Sequence, residues 1–169
     1  MKTIIGIDPG ASGGLAFNID GEVTAHKMPD TMADIRDLLE SVDERVATIY
    51  CERVGTYVSG NAGPSAAKFA EHVGALKGIV CALRIPVHFP TPAQWMHAFI
   101  GKPTYIEKKS DGYTDAAWRV VLTRRKQERK NKIKSRAQEL FPHLKVTLKT
   151  SDALGILWYA TEQENSRLI

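Results

Sequence analysis

The chain has 169 residues, 43% hydrophobic and 25% charged, with a formal net charge of +4. That length supports one domain with a real core, and no apolar run approaches the ~20 residues of a membrane-spanning helix. Two cysteines, Cys51 and Cys81, occur without CxxC or clustered Cys/His spacing. This argues against a structural zinc site and predicts reduced core thiols. Met1-Lys2-Thr3 opens no signal-peptide pattern, so the expected compartment is the cytoplasm.

Residues 3–7 form a β-branched apolar run that predicts a buried strand, and the run ends on Asp8. Pro9-Gly10 breaks the strand, and Gly13-Gly14 lets the chain fold back. Residues 15–19 are a second apolar run at hairpin distance. Asp20-Gly21 is a further tight turn, and residues 22–28 read as a third strand. Short turns between consecutive strands predict an antiparallel meander. Asp8 is then either an ordinary turn acid or a carboxylate fixed beside backbone that a phosphate or a metal can approach closely.

Pro29-Asp30-Thr31 predicts a break and a cap for a helix over 32–44, with Ile35, Leu38, Leu39 and Val42 on its buried face and Asp34 in its first turn. Residues 46–52 follow as a fourth strand, ending on Glu52. Strand, helix, strand implies a crossover, so this strand should run parallel to the first. Parallel neighbours end at the same sheet edge. Asp8 and Glu52 are thereby brought together where open α/β sheets carry their sites. Residues 53–64 are rich in Gly, Ser and Asn and predict a loop beside that edge. Tyr57 on this loop is placed either to stack on a base or to pack back on the protein.

A long helix is predicted over 65–83. Phe69, Val73, Leu76, Val80 and Leu83 form one stripe, and Ala66, Ala70, Gly74 and Gly78 form a small-residue stripe that suggests close packing. Residues 87–89 read as a short strand between prolines, and Pro92 starts a short helix through Trp95, Met96 and Phe99. Residues 102–113 are loop-like. A helix then runs over 114–141 until Pro142 stops it. Charge is concentrated here: 12 Lys/Arg against 4 Asp/Glu lie between Lys102 and Arg136, and 11 against 15 in the rest of the chain. Such a segment is either the footprint of a polyanion binder or a solvated helix face. Residues 146–148 predict another short strand, followed by a last helix with Ser151 as N-cap and Asp152 in its first turn. Asp152 fits an ordinary dipole-stabilising acid equally well.

Taken together, Ile5-Gly6-Ile7-Asp8-Pro9-Gly10, Tyr50-Cys51-Glu52-Arg53-Val54 and Ser151-Asp152-Ala153-Leu154 resemble the motifs of the RuvC-type Holliday junction resolvases. The segments at 65–80 and 87–95 are also similar, whereas residues 101–126 look like an expansion. The resemblance implies an α/β, RNase H-like fold. Its mixed five-stranded sheet, an antiparallel meander plus parallel strands, would be flanked by helices. It further implies one nuclease domain over 1–169 with a basic helical segment at about 101–136, acting on four-way DNA junctions as a homodimer. Asp8, Glu52 and Asp152 would be the catalytic metal ligands, with Asp8 bridging two Mg²⁺ ions for which Mn²⁺ could substitute. Carboxylates without Cys or His suit that metal and the hydrolysis of a phosphodiester.

The sequence departs from the family pattern in two places. The family carries an acid, or sometimes a histidine, three residues before the last Asp, and here Lys149 stands there. Either Lys149 supplies positive charge at the scissile phosphate, or another acid (Asp111, Asp115 or Glu162) approaches the site. The family's stacking aromatic after the catalytic Glu falls on Gly55, which makes Tyr57 the substitute. Lys130 fits the register of the family's lysines before the last helix. With Lys102, Arg124, Arg125, Lys132 and Lys134 it makes the expected DNA-binding set. Two other readings are a YqgF-like RNA-processing nuclease with the same acids, and a junction-binding protein that has lost catalysis. Actin-like ATPases also open on Asp-x-Gly, but they need two such domains.

Overall fold

The structure is a computed structural model that describes residues 2–55 and 63–167. In chain order its elements are β1 (Thr3–Asp8), β2 (Gly14–Ile19), β3 (Glu22–Lys27), α1 (Met32–Glu40), β4 (Ala47–Cys51), α2 (Pro64–Ala82), β5 (Val87–His88), α3 (Pro92–Ile100), α4 (Asp115–Leu140) and α5 (Ser151–Ser166). A single 3₁₀ turn covers Lys109–Asp111. The strands form one sheet in the order β3-β2-β1-β4-β5. The β1–β2 and β2–β3 pairs are antiparallel, and the β1–β4 and β4–β5 pairs are parallel. The meander and the crossover are therefore as expected. Their consequence is a central β1 whose C-terminal end lies beside that of β4.

Side chains alternate across a strand, so β1 divides its residues between two layers. Ile5 and Ile7 join Leu15, Phe17, Ile49 and Cys51 in a core sealed by Ile35 and Leu39 of α1 and by Leu76 and Val80 of α2. Ile4 and Tyr50 point to the opposite face. There they pack with Trp95 and Phe99 of α3, Ile133 and Ala137 of α4, and Leu154 and Leu157 of α5. Gly6 makes the second layer close. A Cβ at Gly6 would stand 2.6 Å from both the Ala153 carbonyl oxygen and the Leu157 nitrogen, so α5 lies directly on β1 at this position. Asp8 is two residues further along the same face of the same strand.

Several expectations are corrected. Residues 146–148 form no strand. The Thr150 side chain accepts from the Thr147 N–H at 3.0 Å, and the Ser151 N–H donates to the Thr147 carbonyl at 2.9 Å, so this backbone closes on itself as a turn. Ser151 is the first helical residue of α5 and not its cap; Thr150 holds the cap position, without a capping side-chain bond. α1 ends at Glu40, with Ser41 Oγ donating to the Leu38 carbonyl at 2.7 Å, well short of residue 44. The small-residue stripe of α2 does not pack as expected: among the described residues, nothing lies within 4 Å of a Cβ built on Gly74 or Gly78. Cys81 is exposed on α2, whereas Cys51 is buried as predicted and its thiol is pushed up to about 12, chiefly by burial. Among the described residues, no helix is long and apolar enough to cross a membrane.

Candidate active site

Three acids meet on one face of the sheet, at one edge. Asp8 is the last residue of β1. Glu52 directly follows β4, and its N–H donates to the Ile7 carbonyl at 2.9 Å, which extends the parallel pairing by one step. Glu52 shares the parity of Tyr50, so both belong to the face covered by α3, α4 and α5. Asp152 is the second residue of α5, the helix that Gly6 allows onto β1. The three acids are half-buried.

Electrostatics reports the same convergence. Burial pushes the Asp8 carboxyl well above the usual carboxylate range, and the charges of Asp152 and Glu52 push it further. Burial also raises Glu52, against the opposing effect of a hydrogen bond from Trp95. Burial raises Asp152, opposed by a Ser151 hydroxyl that donates to its Oδ1 at 3.2 Å. The cations that counter this repulsion come from α4: Lys130 acts on Asp8 and Asp152, and Arg129 acts on Glu52 and Asp152.

Glu52 is tethered. The buried indole of Trp95 donates from Nε1 to Glu52 Oε2 at 2.6 Å. α3 is set for this contact by a capping box at its start, where Thr91 and Gln94 cap each other and Pro92 occupies the first turn. Among the described residues, no three His, Cys, Asp or Glu side chains gather closely enough to hold a metal ion as they stand. The donor chemistry still fits a hard divalent cation: an all-carboxylate oxygen set, partly desolvated and mutually repelling, is relieved by positive charge.

Among solved structures, the fold is similar to RuvC from Thermus thermophilus, with a TM-score of 0.58 at 15% identity, over 98% of this chain and 96% of that one. It is equally similar to T. thermophilus RuvC in complex with a Holliday junction substrate, with a TM-score of 0.58 at 15% identity, over 99% and 97% of the two chains. The chain has the RuvC-like fold. At this identity the likeness is one of fold. No protein-family model and no curated protein matches the sequence.

The remaining sequence-predicted residues fall into distinct places on this fold. Lys149 is exposed and lines a cavity with Ser12, Lys68 and His72. Its carbonyl oxygen lies where a Cβ on Gly14 would come within 2.5 Å, so the turn before α5 is seated on the start of β2. Asp111 accepts from the Lys108 N–H at 2.7 Å and Asp115 pairs with Lys109 at 2.8 Å, both in the segment leading into α4, while Glu162 is exposed on α5. Arg124 and Arg125 are both engaged by Glu107, and the Arg125 guanidinium also stacks over Tyr105 at 4.2 Å from the ring centre. Lys102, Lys132 and Lys134 are exposed. Tyr57 lies outside the described residues.

Two residues at the site escaped the sequence reading, Arg129 and Trp95. Arg129 was legible in principle. The buried pair Ile133 and Ala137, continued one turn towards the N-terminus, gives Lys130 and Arg129 as the polar end of the same face. Trp95 gave no such signal, because its partner Glu52 is 43 residues away and only the β5–α3 connection brings them together.

Proposed function

We propose that this protein is a structure-selective DNA endonuclease that resolves four-way junctions by metal-dependent phosphodiester hydrolysis, with paired nicks made by a homodimer. The observation that carries this reading is the convergence of Asp8, Glu52 and Asp152 at one sheet edge, beneath Arg129 and Lys130 of a strongly basic helix. Asp8, Glu52 and Asp152 would hold the divalent cations. Bound there, the cations would activate a water and stabilise charge on the leaving oxygen. Arg129 and Lys130 would meet the phosphate backbone, and exposed Lys132 and Lys134 continue the track along α4. A partner copy of the chain supplies the second cut.

One observation favours a second reading, a junction-binding protein of weak catalytic power: Glu52 is held by Trp95, and no compact metal-ligand group is formed among the described residues. Incubating the protein with an end-labelled four-way junction and Mg²⁺ or Mn²⁺ separates the two. Paired, symmetrical nicks are the expected result, and sedimentation should give a dimer. Tight junction binding without nicks selects the second reading. Cutting of RNA hairpins with intact DNA junctions would assign the site to RNA processing.

A further inference from the structure

Between α3, the chain at 101–105 and α4 lies a cleft of about 430 Å³. Part of its lining, Gly101, Pro103, Thr104, Tyr105 and Arg125, comes from the stretch that departs from the resolvase pattern. Its floor is apolar. Trp95 and Phe99 turn one side of α3 into the core, and the next positions round the helix, Met96 and Ile100, line the cleft with Ala93. Its wall is basic: Arg125, Arg129 and Lys132 recur at helical spacing along one side of α4. Tyr105 also lines it, with the Arg125 guanidinium over its ring at 4.2 Å from the centre. Glu128 also stands at the rim, where it pairs loosely with Arg124 at 3.7 Å.

Two observations point to a ligand. Arg125 Nε is buried and has no hydrogen-bond partner among the described residues, although the same guanidinium is otherwise held by Glu107 and Tyr105. A buried donor left unpaired is costly, and an incoming acceptor would relieve it. Arg129, moreover, belongs to both places: it lines the cleft, and its charge acts on Glu52 and Asp152. A ligand on Arg129 would therefore touch a cation that also acts on the acids.

An apolar floor, an aromatic ring paired with a guanidinium and two further cations suit a ligand with an aromatic ring and an anionic end. We infer that the cleft takes one unstacked deoxynucleotide of the DNA strand, its base against Met96 and Tyr105 with a carbonyl or ring-nitrogen acceptor offered to Arg125, and its phosphate on Arg129 and Lys132. The volume lies in the range of small-ligand pockets, about 300–1,000 Å³. A base inside a regular duplex cannot enter, whereas one at a strand end, a branch point or a single-stranded stretch can. The assignment rests on DNA being the substrate, and it gives the basic insertion a selectivity role beyond charge.

The test compares a fluorescein-labelled single strand of about ten nucleotides with a blunt duplex of equal charge, by anisotropy at one salt concentration. Ala93→Trp fills the cleft from α3 and Thr104→Trp fills it from the loop, and neither changes the net charge. Both variants should weaken single-strand binding about tenfold, as expected for one lost base-stacking site, and leave duplex binding unchanged. A single strand carrying 5-iodouracil should photo-crosslink to Tyr105 or Met96. Equal losses on both DNAs, no loss on either, or crosslinks confined to other segments would overturn the inference. Junction cleavage by the unaltered protein is scored separately. If it fails while the single-strand contrast persists, the resolvase reading falls and the cleft stands; cleavage without the contrast does the reverse.

Discussion

Trp95 Nε1 and Glu52 Oε2 lie 2.6 Å apart, a short charge-assisted hydrogen bond between a core residue of α3 and the acid that follows β4. The bond fixes the direction of one carboxylate oxygen and works against the upward push that burial exerts on Glu52. Trp95 acts here as a positioning residue. Trp95→Phe keeps an aromatic ring in the core and removes the donor. Cleavage should fall roughly 10–100-fold, the usual cost of losing a partner that orients a metal-ligating side chain. Without the donor, Glu52 ionises at higher pH, so the acid limb of the pH–rate profile should move towards alkaline pH. A uniform loss with an unmoved profile would mean that Trp95 serves packing alone.

Asp8 gives a prediction about stability. Burial and the charges of Asp152 and Glu52 hold its carboxyl well above the ordinary value, so the folded protein keeps a proton that the unfolded chain releases near pH 4. The folded state then binds more protons than the unfolded state, and this contribution to stability is full at low pH and lost as pH rises through the raised value. Asp8→Asn removes the loss. In thermal melts without divalent cation at pH 8 the variant should melt higher than the parent, by about 2–4 °C for each kcal/mol of relieved repulsion. Mg²⁺ should raise the melting temperature of the parent much more than that of the variant. Junction cleavage by the variant should drop about a thousandfold, since a lost ligand removes several kcal/mol of transition-state stabilisation. A melting temperature lower than the parent's at pH 8 would contradict the like-charge cluster.

The basic residues of α4 are not equivalent. Arg124 is neutralised by Glu107 and Glu128, whereas Arg129 and Lys130 face the acids. Arg129→Ala and Lys130→Ala should each weaken junction binding and lower the slope of log affinity against log salt by about one. Arg124→Ala should change the slope little. Three equal effects would mean that α4 contributes net charge and no defined register on the DNA.

The C-terminal half of α5 is anchored to Tyr50 of β4 and to Lys2, which precedes β1. Tyr50 Oη donates to Glu164 Oε1 at 2.7 Å, and Glu164 also pairs with Lys2 at 3.0 Å and Arg167 at 2.8 Å. Burial opposes ionisation of Glu164, but the hydrogen bonds from Tyr50 and Lys2 outweigh it and hold the carboxyl below its ordinary range. This group therefore adds stability above the unfolded carboxylate value, and the contribution is lost as pH falls through the lowered one. Tyr50→Phe should cost about 1.5 kcal/mol at pH 7 and less in acid, read from denaturant melts at both pH values. Because the anchor lies at the opposite end of α5 from Asp152, the cleavage rate of the folded variant should match the parent's.

The sheet and its acids were legible because they depend on local pattern and topology. Runs ending in Asp8 and Glu52, joined by a crossover helix, place both acids at one edge whatever the details of packing. What the sequence concealed depends on contacts between distant segments. Val146-Thr147-Leu148 has strand-like residues, but the bonds among Thr147, Thr150 and Ser151 take its backbone out of any ladder. Gly74 and Gly78 suggest a tight interface, and only the packed fold reveals that no described residue lies against them. Arg124 and Arg125 look like free cations until Glu107, from the irregular stretch before α4, is found between them.

Lys149 now has a location that bears on its role. The charges that offset the acids are those of Lys130 and Arg129 on α4. Lys149 instead lines a cavity with Ser12, Lys68 and His72, on the side of the Asp8 turn where α2 packs. A second lysine and two further polar side chains there suit one backbone phosphate of a strand crossing the acids, not a part in holding the cation. Lys149→Ala should therefore weaken junction binding a few-fold, with a salt slope reduced by about one and an unchanged Mg²⁺ concentration for half-maximal cleavage. Lys68→Ala should behave in the same way. Lys149→Asp should lose binding without gaining Mg²⁺-dependent cleavage, because an acid added there would repel the strand. A variant that cleaved faster at low Mg²⁺ would return position 149 to the metal site and make the lysine a replaced ligand.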